Sequence, residues 1–373
     1  MSVYLDTNAT AKPRPAAIAA IAAALAAFGN PSSVHGFGRE ARRQVEAARG
    51  VVAAFAGVPP SAVVFTSSAT EANALAIAGR PGLRLLVSAI EHPSIREAFA
   101  EAVPIPVLPH GVVDTAALDA LLAAAPEPAL VAVMAANNET GILQPLAAVR
   151  SACDAHGALL HVDAVQAAGR VPLQPIAAMA DSLALSAHKL GGPQGVGALI
   201  LREDRGLVPQ LRGGGQERAR RAGTENVAGI AGFAAAITAL SADEPARITQ
   251  LRDRLETLVL AAKTGAVVIG REQPRLGNTS LIALPGNAAE TLVMALDLAG
   301  FAVSAGAACS SGKVKESAVL RAMGLPPSIA GAAIRISLGW HTSEAEIEAF
   351  AAAWATLAQR LAGRGAGAAV ACA

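Results

Sequence analysis

Cysteine is scarce in this chain. Its 373 residues hold three, Cys153, Cys309 and Cys372. The number is odd and no Cys-x-x-Cys pair occurs, which excludes a disulfide framework and suits a reducing compartment. Cys153-x-x-His156 lacks a second ligand pair, so a structural zinc is not expected. Charge is sparse too: charged residues make up 16%, and 30 basic against 29 acidic residues leave +1. Neither nucleic acid nor an anionic membrane is therefore expected as a main partner. The longest apolar runs, 16–28 and 227–240, are alanine-rich and too short for a bilayer span. Met1-Ser2-Val3-Tyr4-Leu5-Asp6 has neither the basic nor the apolar region of a secretory signal. The expected location is the cytoplasm.

What the chain has is apolar mass, 53% of its residues, enough for a large core and two domains of ordinary size. From about residue 63 to 201, short apolar runs alternate with helix-length stretches. The strand candidates are 63–66, 83–87, 130–134, 158–162, 183–185 and 197–201. Such alternation predicts an α/β domain with a largely parallel sheet covered on both faces. Past about residue 245 the pattern changes. A charged amphipathic helix is expected over 248–260, strands at 266–269, 279–283 and 333–338, and helices at 288–299 and 317–323. A last helix opens with the capping box Ser343-x-x-Glu346. This part reads as a smaller α+β domain, with a tail expected to fray from Gly363. Arg39, Arg42, Arg43 and Arg49, interleaved with Glu40 and Glu46, read as one solvated helix face.

The most informative segment is Ser186-Ala187-His188-Lys189-Leu190-Gly191-Gly192-Pro193, directly after an apolar run. A lysine at the mouth of a buried strand is costly unless its amine is used. Desolvation lowers its pKa and equips it to form a Schiff base, as in enzymes of pyridoxal 5′-phosphate (PLP). A strand ending in a polar turn explains this octapeptide about as well, and its company decides. Thr66-Ser67-Ser68-Ala69-Thr70, Glu91-His92-Pro93, Asn137-Asn138-Glu139 and Asp163-Ala164-Val165-Gln166 each follow a strand candidate. Ligands of parallel sheets sit beyond the carboxyl ends of the strands, so these polar groups converge on one rim.

Each group has a task around such a cofactor. Asp163 is the candidate partner of the pyridine nitrogen. Thr70, at a helix start, is the candidate for phosphate, with Ser186 and His188 as further donors. Asn138 and Gln166 are placed for the 3′ oxygen, and His92 for stacking on the ring and shuttling protons. Arg335, alternating within Ala333-Ile334-Arg335-Ile336-Ser337, suits a bidentate clamp on a substrate carboxylate; the duller alternative is a charge facing solvent. Cys309 sits in Val303-Ser304-Ala305-Gly306-Ala307-Ala308-Cys309-Ser310-Ser311-Gly312, which reads as a mobile loop. An exposed thiol near a cationic site there is a candidate thiolate nucleophile. Cys153 and Cys372 have no comparable setting.

In these motifs the chain resembles the PLP-dependent cysteine desulfurases of the class V aminotransferase group, and the likeness runs essentially end to end. It takes in Tyr4-Leu5-Asp6, Asn8-Ala9-Thr10, Asn30-Pro31-Ser32-Ser33-x-His35, Ala69-Thr70-Glu71 and Ser186-x-His188-Lys189. It continues through Gly213-Gly214-Gly215-Gln216-Glu217, Arg221-x-Gly223-Thr224, Gly306-x-Ala308-Cys309-Ser310-Ser311 and Arg335-Ile336-Ser337-Leu338-Gly339. The resemblance implies a fold type I transferase: a large PLP-binding domain over 15–244, and a small domain of 1–14 with 245–373 that carries the cysteine loop. It implies a homodimer with the active site near the subunit interface, where Thr224 reaches the neighbouring cofactor's phosphate. It also implies the chemistry. L-cysteine displaces Lys189 from the cofactor, Cys309 attacks the substrate sulfur, and alanine leaves. The persulfide then passes to a sulfur-acceptor protein, such as an iron–sulfur scaffold or a tRNA-thiolation relay. The loop resembles the long-loop subgroup, yet Ser310-Ser311-Gly312-Lys313-Val314-Lys315-Glu316-Ser317 stands where that subgroup commonly ends in Leu-Glu-Pro-Ser. The alternatives are another PLP enzyme of this fold (a selenocysteine lyase, an aminotransferase, an epimerase) or a non-catalytic sulfur-relay subunit. The cysteine loop argues against aminotransferase and epimerase. Intact Lys189, Asp163 and His92 argue against a lost activity.

Overall fold

The computed structural model describes residues 2–125, 127–203, 206–305 and 317–370, with 362–370 as backbone only. The chain opens with β1 (Val3–Tyr4). Then β2 (Val63–Thr66), β3 (Arg84–Ser88), β4 (Val103–Ile105), β5 (Ala129–Met134), β6 (Leu159–Asp163), β7 (Ser182–Ser186) and β8 (Gly197–Leu201) form one seven-stranded sheet in the order β2-β8-β7-β6-β5-β3-β4. Every position of β5, β7 and β8 is buried. That is why these runs are continuously apolar rather than alternating: helices cover both faces.

Only β8 runs against its neighbours. The connection 187–196 is shorter than the dozen or so residues that a parallel crossover needs, so the chain turns straight back. The carboxyl ends of β2, β3, β5, β6 and β7 consequently share one edge. Gly197 lets this edge close under the next helix: a Cβ there would lie 2.5 Å from the carbonyl carbon of Ser68. The strand candidates do not include β4, a short edge strand interrupted by Pro104, where proline is tolerated.

Beyond residue 245, β9 (Val267–Ile269) and β10 (Thr279–Ala283) are followed by β11 (Phe301–Ala302) and β12 (Ala333–Ser337). The order β12-β10-β9 makes an antiparallel sheet, while β11 pairs with β1 at the start of the chain. One apolar cluster surrounds Val131, Val133, Leu160 and Leu183; another joins Leu5 to Leu255, Ile334, Phe350 and Trp354. This packing supports a division near residue 244, which we propose as the domain boundary, with the first residues belonging to the second part.

The helix Glu344–Val370 starts with the expected reciprocal cap. Ser343 N donates to Glu346 Oε2 (2.8 Å) and Glu346 N to Ser343 Oγ (3.3 Å). The helix runs past Gly363, where the sequence predicts fraying. The backbone is helical to Val370, although Gly363, Gly365 and Gly367 disfavour a helix there. Arg49 also corrects the expectation of a solvated face. Arg43 is exposed and pairs with Glu40, but Arg49 is buried against Glu217, whose carboxylate accepts from Arg49 Nη1 (2.7 Å), Arg49 Nη2 (2.9 Å) and Phe65 N (2.9 Å). Full hydrogen bonding offsets the desolvation of the pair, whereas removing one partner would strand a buried charge, costing ~3–5 kcal/mol. Among the described residues, no helix is long and apolar enough to cross a membrane.

Candidate active site

A cavity of about 880 Å³ opens beyond the carboxyl edge of the large sheet. Strand ends build most of its wall. The helix Ala69–Ala78 after β2 brings Thr70, the turn after β3 brings His92, and the loop after β5 brings Asn138. β6 ends on Asp163, with Gln166 just beyond it, and β7 ends on Ser186, with His188 and Lys189 in the following turn. Arg335 of β12 closes the far side. These nine predicted residues are brought together. Thr224 is exposed and is not part of this wall. Cys309 lies outside the described residues, but the chain on either side of it is held at the rim. Ser304 and Arg335 exchange backbone hydrogen bonds (3.1 and 2.6 Å), and Ser317 Oγ donates to Glu139 Oε2 (2.6 Å).

Lys189 Nζ donates to the backbone oxygens of Asn8 (2.5 Å) and Ala9 (2.8 Å). Neither acceptor is a carboxylate. Burial, and then the Arg170 and Arg335 guanidinium groups, pull its pKa down to about 8, against the opposing pull of Asp6 and Asp163. Asp163 is anchored at both oxygens: Oδ1 accepts from Val165 N (3.0 Å) and Oδ2 from Asn73 Nδ2 (2.9 Å). An ionised carboxylate has further lone pairs for a donor in the cavity. His92 is open to the cavity, and its Nδ1 accepts from Ser94 N (3.1 Å). Burial of the ring by the wall lowers its pKa; Asp163 and Glu97 oppose this, and Lys189 and Arg96 add to it. His188, 3.1 Å from Thr10 Oγ1 through Nδ1, is held down at about 4 by burial and by Lys189. Beneath them Glu91 is buried, with Oε1 accepting from Met134 N (2.6 Å). Burial, and then Asp163, hold its carboxyl well above the usual carboxylate range.

Arg335 is only 4% exposed, so the solvent-facing alternative is excluded. Nη1 donates to Asn138 O (3.1 Å) and Nη2 to Asp6 Oδ1 (2.7 Å). Gln166 is fixed in orientation: Nε2 donates to Asn8 O (3.1 Å), while Oε1 accepts from Arg170 Nη1 (2.5 Å).

Several residues of the site are not singled out by the sequence pattern. Asn8 is one. Its backbone oxygen receives both Lys189 and Gln166, its Nδ2 donates to Asn138 O (3.1 Å) and Thr279 Oγ1 (2.9 Å), and its Oδ1 accepts from Asn278 (2.9 Å). Asp6, Asn73, His161 and Arg170 are others. The available signal was a polar residue inside an apolar run, as in Leu159-Leu160-His161-Val162.

The donor set fits PLP. An amine of lowered pKa meets an aldehyde, a carboxylate meets a pyridine nitrogen, and a helix start meets a phosphate. Ser68 Oγ caps only Glu71 N (3.2 Å), and the earliest amides of any helix have no partner within it. Thr70, Ser186 and His188 line the same cavity as that helix start.

Comparison with known proteins agrees with this chemistry. The model of the aminotransferase class-V family matches residues 3–350. A cysteine desulfurase of Cereibacter sphaeroides is 44% identical, with 93% of each chain covered. A cysteine desulfurase of Enterobacter agglomerans is 41% identical, covering 93% of this chain and 90% of the relative. The X-ray structure of a NifS-like protein from Rickettsia africae superposes with a TM-score of 0.88 at 35% identity, covering 95% of this chain and 98% of the other.

Proposed function

We propose how this chain, which belongs to the class V aminotransferase family and within it to the PLP-dependent cysteine desulfurases, divides its reaction among its own residues. The observation that carries the assignment is one lysine of lowered pKa in one cavity with Asp163, a helix start and a buried arginine. When bound, PLP supplies an electron sink for the pair released from bonds at the substrate's α-carbon.

Lys189 is the residue that holds the cofactor. When not engaged with the cofactor, its Nζ would move the α-proton, a task suited to an amine of lowered pKa. Asp163 holds a proton on the pyridine nitrogen. Thr70, Ser186 and His188 would hold the phosphate, Asn138 and Gln166 would serve the 3′ oxygen, and His92 would pack on the ring. Arg335 orients the carboxylate of L-cysteine. Cys309 attacks the substrate sulfur as thiolate. A sulfur–sulfur bond forms, the carbon–sulfur bond breaks with its electron pair leaving toward carbon, and protons complete the methyl group of alanine. A thiol reductant or an acceptor protein then removes the persulfide sulfur, and an iron–sulfur scaffold is the acceptor class we favour. A homodimer is supported by the exposed apolar residues Ile18, Leu25, Phe28, Val34 and Phe37, gathered in one stretch of chain. In that dimer Thr224, exposed here, reaches the neighbouring phosphate.

The test of the function is alanine formed from L-cysteine by the PLP-loaded protein with a reductant. Equal amounts of alanine and sulfide are expected; no alanine would overturn the reading. Two results separate the roles. Arg335→Gln is expected to raise KM for L-cysteine roughly tenfold to a hundredfold, the worth of a charge-assisted hydrogen bond, with less effect on kcat. An unchanged KM would remove the arginine from substrate binding. Reloading of the apo protein with PLP depends on neutral Lys189. Because burial lowers its pKa to about 8, the rate should climb with pH through about 8 and level off above it. A rate still climbing steeply past pH 10 would mean an ordinary, solvated lysine.

A further inference from the structure

Asp163 and His92 are joined through one buried amide. Asn73, 0% exposed on the second turn of the helix Ala69–Ala78, donates through Nδ2 to Asp163 Oδ2 (2.9 Å) and to Ser94 Oγ (3.1 Å). An amide nitrogen carries two protons, and both are used. The amide cannot be turned over, because its oxygen would then face a carboxylate that only accepts. That oxygen instead lies 3.0 Å from His161 Nε2, which must be the donor. His161 is fully buried, and burial pulls its pKa to about 4, so it is a neutral imidazole whose Nδ1 accepts from Ser182 Oγ (2.9 Å). Every proton from Ser182 to Asp163 has one consistent position.

The other branch fixes His92. Ser94 Oγ receives one proton from Asn73, so its own proton is free to point at His92 Nδ1, 2.9 Å away. The backbone N–H of Ser94 donates to the same Nδ1 (3.1 Å), and a backbone N–H cannot accept. Nδ1 therefore carries no proton. In the neutral ring the proton sits on Nε2, the nitrogen left for the cavity. A second proton would have to enter at Nδ1, against the Ser94 N–H.

We propose that Asn73 and Ser94 are positioning residues that lock His92 in its Nε2–H tautomer, so that His92 meets the contents of the cavity as a hydrogen-bond donor rather than as a base. This rests on the reading that His92 works at the cofactor, and it changes the task expected from the sequence. Shuttling of protons falls to Lys189, and His92 polarises.

The tautomer can be read without turnover, in the apo protein labelled with ¹⁵N-histidine, from long-range proton–nitrogen correlations, with His92→Gln to assign the ring. The expected pattern is an unprotonated Nδ1 and a protonated Nε2; a protonated Nδ1 would overturn the proposal. Ser94→Ala removes the hydroxyl but keeps the backbone N–H on Nδ1, so the Nε2–H tautomer should still dominate, with a minor Nδ1–H population appearing. In the holoenzyme it should lower kcat about fivefold, the worth of one hydrogen bond, with KM little changed. Ser94→Thr, which keeps the hydroxyl, should restore both. Wild-type tautomer and kcat in Ser94→Ala would leave Ser94 no positioning role. Asn73→Leu should act in the same direction, and if it does not fold, the Ser94 pair decides. The apo measurement stands apart from cofactor binding and alanine formation, whose failure would count against the enzyme reading instead.

Discussion

Lys189→Ala is expected to abolish cysteine desulfuration while leaving a folded protein. The visible absorption of lysine-bound PLP should be missing, the cofactor should dialyse away, and alanine formation should fall about ten-thousand-fold, the upper range for loss of a proton-transfer group. Folding should survive because of what Lys189 touches. Its amine bonds two backbone oxygens at an open cavity and no carboxylate. The sign of its pKa shift points the same way. A lysine whose folded pKa lies below its unfolded value opposes folding throughout the range where the unfolded chain holds the proton. Its removal should therefore leave the melting temperature near pH 7 unchanged or higher. A variant that retains the absorption band and the rate would take the cofactor link away from Lys189. A variant that unfolds would show the lysine to be structural.

Cys309→Ala should separate the two halves of the reaction. PLP should bind with its normal absorption, and added L-cysteine should still change the spectrum, since Lys189, Asp163 and Arg335 are all in place. Sulfide and alanine should fall to near the background rate, because no thiolate remains to take the sulfur. Cys153→Ala is the control. That thiol is buried in the helix Leu146–His156, and burial pushes its pKa up to about 11, which leaves almost no thiolate at neutral pH. Normal turnover by Cys309→Ala would dismiss the persulfide route and favour direct elimination of the sulfur.

The parts of the site that were legible share a property: each candidate residue follows directly on an apolar strand. Thr70, His92, Asn138, Asp163 and Lys189 could be found by reading along the chain, because a parallel sheet sends every such end to one rim. Arg335 was legible as a polar residue in a strand, but its direction was not, since alternation alone does not say which face is buried. Arg49 misled for a related reason. Its i, i+3 neighbour Glu46 is real and pairs with it (3.1 Å), yet the ring of Phe65 and the carboxylate of Glu217, far along the chain, enclose the guanidinium.

Sequence by itself determined the α/β class, the polar cluster at the carboxyl edge and the family, because these follow from local patterning and from motifs carried in order. Only the tertiary structure decided which groups neutralise, orient or silence one another. Asn8 reaches Lys189 across about half the chain, Asp6 reaches Arg335 from the opposite terminus, and Asn73 ties Asp163 to the turn that carries His92. Hydrogen bonds and burial depend on distance in space, and a polar residue in a strand reads the same whether it faces water, a partner or a cofactor. The hydrogen-bond pattern of the site, on which the tasks we propose for Lys189 and His92 rest, is therefore a property of the folded chain.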